Sequence, residues 1–263
     1  MNGVINLSLW QMISAYVFVL ILLLIVKFKG ISKEKVILIS SLRMTLQLII
    51  AGYILVQLFN TSSPLFTIFI LIMMEFFSVY NIIKRTKERI SSKLKQIITL
   101  SMIIGTSSCL FYFLLIVVRI SPWYNPQYFI PIAGMLIGNS MTGVSLCVNH
   151  LVDGMQNQKT LVEGALMLGA TPKIASKQIV DNAFDSAILP TINSMVGMGI
   201  VFLPGMMTGQ ILSGISPITA IEYQIAIMLG ILGSVSLTVI IFVQLGYKTF
   251  FNDQSQLIID DYN

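Results

Sequence analysis

PLFTIFILIMMEFFSVYNII, residues 64–83, runs for 20 residues with one charged side chain, Glu75, and ends at the cations Lys84 and Arg85. At about 1.5 Å of rise per residue, a helix of this length spans the roughly 30 Å hydrocarbon core of a bilayer. Such a run needs lipid, not water, around it.

Outward from this stretch, residues 7–26, 36–59, 97–118, 128–151, 187–212 and 218–242 have the same character. The expected fold is all-α: a polytopic membrane protein of about seven transmembrane helices, forming a single transmembrane domain over residues 1–263. Composition agrees, since 56% of the residues are hydrophobic and 10% are charged, against roughly 25% charged in ordinary soluble domains. The first apolar run lacks a basic leader and an evident cleavage site, so it is expected to be a retained helix.

The net charge of +5 is not a nucleic-acid signal, because the cations flank apolar segments. Lys27, Lys29, Lys33 and Lys35 lie between the first two spans. Lys84, Arg85, Lys87, Arg89, Lys93 and Lys95 lie between the third and fourth. Lys159, Lys173 and Lys177 separate the fifth and sixth, and Lys248 follows the seventh. With Arg43 just inside the second span, every basic residue except Arg119 falls on one side. The expected topology therefore has the N-terminus outside, the C-terminus in the cytoplasm, and the protein in the plasma membrane as a multi-pass chain. No internal repeat of the kind found in many secondary transporters is visible.

Residues 152–186 are too polar to insert and form the expected cytoplasmic segment. Thr160 and Glu163 have capping-box spacing, Gly169 suits a left-handed helix stop, and Thr171-Pro172 suits a helix restart. Helix, tight turn, helix is expected; the pattern fits an ordinary solvated loop equally well.

The run EGALMLGATP at residues 163–172 resembles the cytoplasmic "EAA" loop of ABC transporter permeases, with Gly164 standing where alanine is usual. The resemblance implies a coupling role for Glu163, Gly164, Gly169, Ala170, Thr171 and Pro172, docking into a groove on an ATPase subunit. The chain has no Gly-x-x-x-x-Gly-Lys-[Ser/Thr] loop, so nothing in it cradles ATP phosphates. ATP and Mg belong on a separate soluble ABC ATPase, no cofactor is expected on this chain, and family precedent pairs two permease chains with two ATPase chains. More widely, residues 42–53, 134–141 and the run LPGMMTGQ at 203–210 resemble the FetB-type permeases, a group associated with metal export and, in plants, with aluminium tolerance. That resemblance implies export of iron or another metal ion or complex.

Within the spans, Arg43 and Glu75 lie some 12–13 Å from the cytoplasmic edge at about 1.5 Å per residue. They are expected either to form an ion pair or to leave Arg43 snorkelling to the headgroups. Gly134 and Gly138 have the spacing of a close helix contact. Asn139, Ser140 and Thr142 serve either packing or a translocation path. Pro204 and Gly205 should interrupt the sixth helix, and with Met206, Met207 and Gln210 they are candidates for gating. The methionines read first as packing, and thioethers suit soft metals rather than iron. Cys147 and His150 lack the partners a metal site needs, so no metal site is expected. An importer-type ABC permease and a seven-span receptor or scaffold remain alternatives. An intramembrane enzyme finds no constellation to support it.

Overall fold

The computed structural model describes residues 7–60, 63–86 and 90–258. Lys87 and Arg89, counted above among the inward cations, and residues 61–62 of the short loop after the second span lie outside the described residues.

Prolines and small polar caps start the long helices. α1 (Leu9–Ala15) opens on a capping box in which Ser8 and Gln11 satisfy each other's backbone N–H groups, and it runs almost directly into α2 (Val17–Phe28). α3 spans Glu34–Asn60. α4 (Pro64–Arg85) has proline in its first turn, where the missing N–H costs nothing. α5 (Ser92–Tyr112) starts where Ser91 Oγ accepts from Leu94 N at 3.1 Å. It continues as a π-helical stretch over Phe113–Val117. α6 (Pro126–Asn157) is capped by Asn125. α7 (Lys159–Met167) and α8 (Pro172–Ala175) are short. α9 spans Lys177–Gly197, α10 spans Gly205–Leu212 and α11 spans Pro217–Gly246.

Among the described residues six helical segments are long and apolar enough to cross a membrane: Leu9–Phe28, Glu34–Phe59, Pro64–Arg85, Ser92–Val117, Pro126–Asn157 and Pro217–Phe250. The sequence expectation of a continuous crossing over 187–212 needs correction. α9 ends at Gly197, Met198 turns extended, Gly199 takes a φ of +83°, and the chain re-enters helix only at Gly205. Proline at 204 cannot donate a helical hydrogen bond, and Gly199 tolerates the left-handed turn. The interruption expected at Pro204-Gly205 is real, but it takes in the preceding turn as well.

The core is built around α11, which packs on α5, α6 and α9, while α6 also lies along α4 and α9. Phe129, Leu136, Ile98, Met102, Ile227 and Phe242 are sealed within it. α1–α3 pack only lightly on the rest: α2 packs on α3, tied by a hydrogen bond between Tyr16 and Thr45, α3 touches α6, and most of the apolar side chains along α3 are exposed. In a bilayer that exposure is ordinary, because lipid replaces water as the solvent for apolar side chains.

Candidate functional site

Two regions concentrate the residues singled out above: the polar segment after α6, and the polar faces of α6, α9 and α10.

α7 begins at Lys159, with Gln158 at its cap and no side-chain cap bond. The expected capping box between Thr160 and Glu163 is therefore absent. α6 runs on to Asn157, which moves the helix start ahead of Thr160 and leaves Thr160 in the first turn. Glu163 instead meets Lys159 at 3.9 Å, one turn back on an open surface. The C-terminal end forms as expected. Gly169 takes a φ of +89°, its N–H donates to Leu166 O at 2.9 Å, and Ala170 N–H donates to Ala165 O at 3.0 Å. This double bond pattern satisfies carbonyls that a helix end otherwise leaves bare, and it needs a residue at ease in left-handed backbone. Thr171, extended, then leads into Pro172 at the first position of α8, though the Thr171 hydroxyl makes no cap bond.

This bend presents large apolar side chains from an otherwise polar segment: Met167 is 87% exposed and Leu168 91%, with Leu161 and Ile174 also exposed. Beside it, a cleft of about 530 Å³ lies between Glu163, Leu166, Met167 and Ala170 on one side and residues 254–257 on the other. Exposed apolar groups of this kind occur where a protein meets another protein or a membrane.

On α6 the structure separates residues the sequence had grouped. Ser140 faces inward, 0% exposed, and its hydroxyl lies 2.9 Å from that of Ser234 on α11. Asn139 and Thr142 face outward and bond only their own helix, Asn139 Nδ2 to Met135 O at 2.7 Å and Thr142 Oγ1 to Gly138 O at 3.1 Å. Polar side chains within membrane helices usually face a neighbouring protein surface or a water-filled cavity. Within this chain the expected close approach at Gly134 and Gly138 does not form: a Cβ on Gly134 would meet only Met74 Cε at 3.4 Å, and one on Gly138 would meet nothing. The tight contacts on α6 are at Gly154, where a Cβ would stand 2.5 Å from Ile179 Cγ2, and at Gly143, where it would stand 2.9 Å from Val235 Cγ1.

In the broken region, Pro204 caps α10 in extended backbone and accepts from Thr208 N at 2.9 Å. Gly205 has open space around it. Met207 is buried and Met206 packs against the core. Gln210 Oε1 is buried without a hydrogen-bond partner. Gln224 of α11, not anticipated from sequence, donates to Met198 Sδ at 3.7 Å across the break. A lone glutamine in an apolar run gives no sign of which turn it will face.

The ion pair between Arg43 and Glu75 does not form. The Arg43 guanidinium lies over the Phe77 ring, 5.2 Å from its centroid, and Glu75 faces inward to Thr106 of α5, whose hydroxyl bonds its carboxyl. Comparable depth in the membrane did not place the two on facing sides of their helices. Thr106 had no signal in the sequence. Among the described residues no group of three or more His, Cys, Asp or Glu side chains could hold a metal ion.

No solved structure matches the chain. Among curated proteins it is 33% identical over 254 residues to the "Probable iron export permease protein FetB" of Escherichia coli (strain K12), covering 97% of this chain and 96% of that one. It is 36% identical over 242 residues to the "UPF0014 membrane protein YjkA" of Bacillus subtilis (strain 168), covering 92% and 94%. It is 34% identical over 244 residues to the "Protein ALUMINUM SENSITIVE 3" of Arabidopsis thaliana, covering 93% and 88%. Residues 9–251 match the family described as "Uncharacterised protein family (UPF0014)". With six helices able to span a bilayer and this match over nearly its whole length, the chain is a multi-pass membrane protein of the UPF0014 family.

Proposed function

We propose that this chain is the permease subunit of an ABC transporter in the plasma membrane, exporting iron or another metal ion or metal complex. A separate soluble ATPase binds ATP and Mg and engages the segment from Glu163 to Pro172. Two permease chains pair with two ATPase chains, and α9 with α10 make a broken seventh crossing that leaves the N-terminus outside and the C-terminus inside.

The observation that carries the reading is the bend at Gly169, beside which Met167 and Leu168 stand exposed. An ATPase groove that takes up this bend can lever α6 and α9, because α7 follows α6 closely and α8 leads straight into α9. The name of the Escherichia coli relative supports metal export. The outward stripe of Asn139 and Thr142 supports a translocation path between two copies, with the break from Met198 to Pro204 as the place where the wall flexes.

The test is co-purification with a soluble ABC ATPase of the same organism co-expressed with this chain, comparing wild type with Gly169→Val and Met167→Asp. Wild type retains the ATPase and both variants lose it while still inserting in the membrane. Undiminished capture by both variants would overturn the reading. Metal efflux from vesicles, driven by ATP, then tests substrate and direction.

A further inference from the structure

Among the described residues Glu75 is the one carboxyl group that is buried, 7% exposed in the middle of α4. One of its oxygens, Oε1, meets the Thr106 hydroxyl; the other, Oε2, is buried with no hydrogen-bond partner. Thr106 is itself fully buried, and its Oγ1 also lies 2.7 Å from the Met102 carbonyl. That carbonyl can only accept, and a hydroxyl has a single proton to give. If Thr106 donates to Met102, its contact with Glu75 is a hydrogen bond only when the carboxyl supplies the proton. Ser78, the next polar group on the buried face of α4, is turned away from the carboxyl and donates to the Glu75 backbone carbonyl at 2.8 Å.

Among the described residues no positive charge pairs with the carboxyl. Arg43 is engaged over Phe77. On α5 the nearest ionisable groups are Cys109, about one turn beyond Thr106, and Tyr112, whereas Lys95 is eleven residues away, about 16 Å along the helix. On α6, Gly134 is level with Met74. Tyr128 then lies about 9 Å off along the axis and Cys147 about 20 Å, with His150 and Asp153 farther still. Among the described residues none of these forms an ion pair with Glu75. Two carboxyl oxygens and one hydroxyl also fall well short of the six or more oxygens a calcium or magnesium ion takes. A bare charge at such a place is costly, and the smallest cation is the one the space admits.

We propose that Glu75 is a proton-binding site inside the helix bundle, its carboxyl O–H donating to Thr106 Oγ1 while Thr106 donates on to Met102. Proton loading and the seating of α4 against α5 are then one event. The proton leaves only when water or another cation reaches Oε2, which requires the helices packed over it to part. The site stands on α4 and α5 alone and does not depend on the ATPase reading.

The test uses the full-length protein in lipid nanodiscs and infrared difference spectra at neutral pH. Wild type minus Glu75→Gln should show the carbonyl band of a protonated carboxyl, and Thr106→Val should move that band to higher frequency by removing its hydrogen-bond partner. Glu75→Gln, a neutral side chain of the same shape, should keep the wild-type unfolding temperature. Only carboxylate bands in wild type, or a protonated band unmoved in Thr106→Val, would overturn the proposal. Should Glu75→Gln fail to fold, the shift between wild type and Thr106→Val alone decides.

Discussion

A Cβ built on Gly105 would stand 2.7 Å from the Cα of Thr238 and 2.3 Å from its Oγ1. This is the place where α5 and α11 cross with their backbones nearly touching. Thr238 cannot yield, because it is fully buried and its hydroxyl donates to Ser234 O at 2.7 Å. Gly105→Ala therefore forces backbone rather than a side-chain tip to move. The expected cost is about 1–3 kcal/mol, read as a lower unfolding temperature in detergent or nanodiscs. Gly138→Ala, with open space around it, should unfold like wild type.

The Ser140–Ser234 contact ties α6 to α11 at the centre of the core. A double-mutant cycle with Ser140→Ala and Ser234→Ala should give a coupling of about 0.6 kcal/mol, the usual size for a hydrogen bond between membrane helices. Additivity within error would show that the two hydroxyls do not bond.

Arg43 and Glu75 face different partners, so charge exchange should not rescue. Arg43→Glu combined with Glu75→Arg should be at least as destabilised as the sum of the single variants, within about 0.5 kcal/mol. Recovery of expression and unfolding temperature in the exchanged protein would restore the ion pair that this structure lacks.

Gly169→Ala places a Cβ in left-handed backbone at a φ of +89°, at a cost of about 1–2 kcal/mol. Hydrogen exchange across residues 165–171 should speed up while the core stays protected, and ATPase capture should weaken. Gly164→Ala is the control. It lies inside α7 with open space around it, and helix propensity alone favours the alanine by about 0.5–1 kcal/mol.

Asn139→Leu and Thr142→Val remove outward polar groups that bond only their own helix. Both variants should fold and insert normally while ATP-driven metal efflux falls. Normal efflux from both would move the path away from this face of α6.

The amino-acid sequence by itself determined that this chain lives in lipid and where the apolar segments lie. Run length and the scarcity of charge are local properties that need no partner to be read. It also determined the Gly169 stop and the Pro172 restart, because left-handed backbone and a proline at a helix start are decided within a few residues of chain. Only the tertiary structure decided which side of each helix meets which neighbour. Depth made Arg43 and Glu75 look like a pair, but rotation about the helix axes sent one to Phe77 and the other to Thr106. Spacing made Gly134 and Gly138 look like a contact, yet within the chain the close approaches include Gly105, Gly143 and Gly154. It also decided that residues 187–212 are two helices and a turn, because hydropathy registers apolar character and is blind to the extended backbone at Met198. In lipid the hydrophobic pattern no longer marks an inner face, so the rotational setting of each helix comes from packing and hydrogen bonds that exist only once the helices have met.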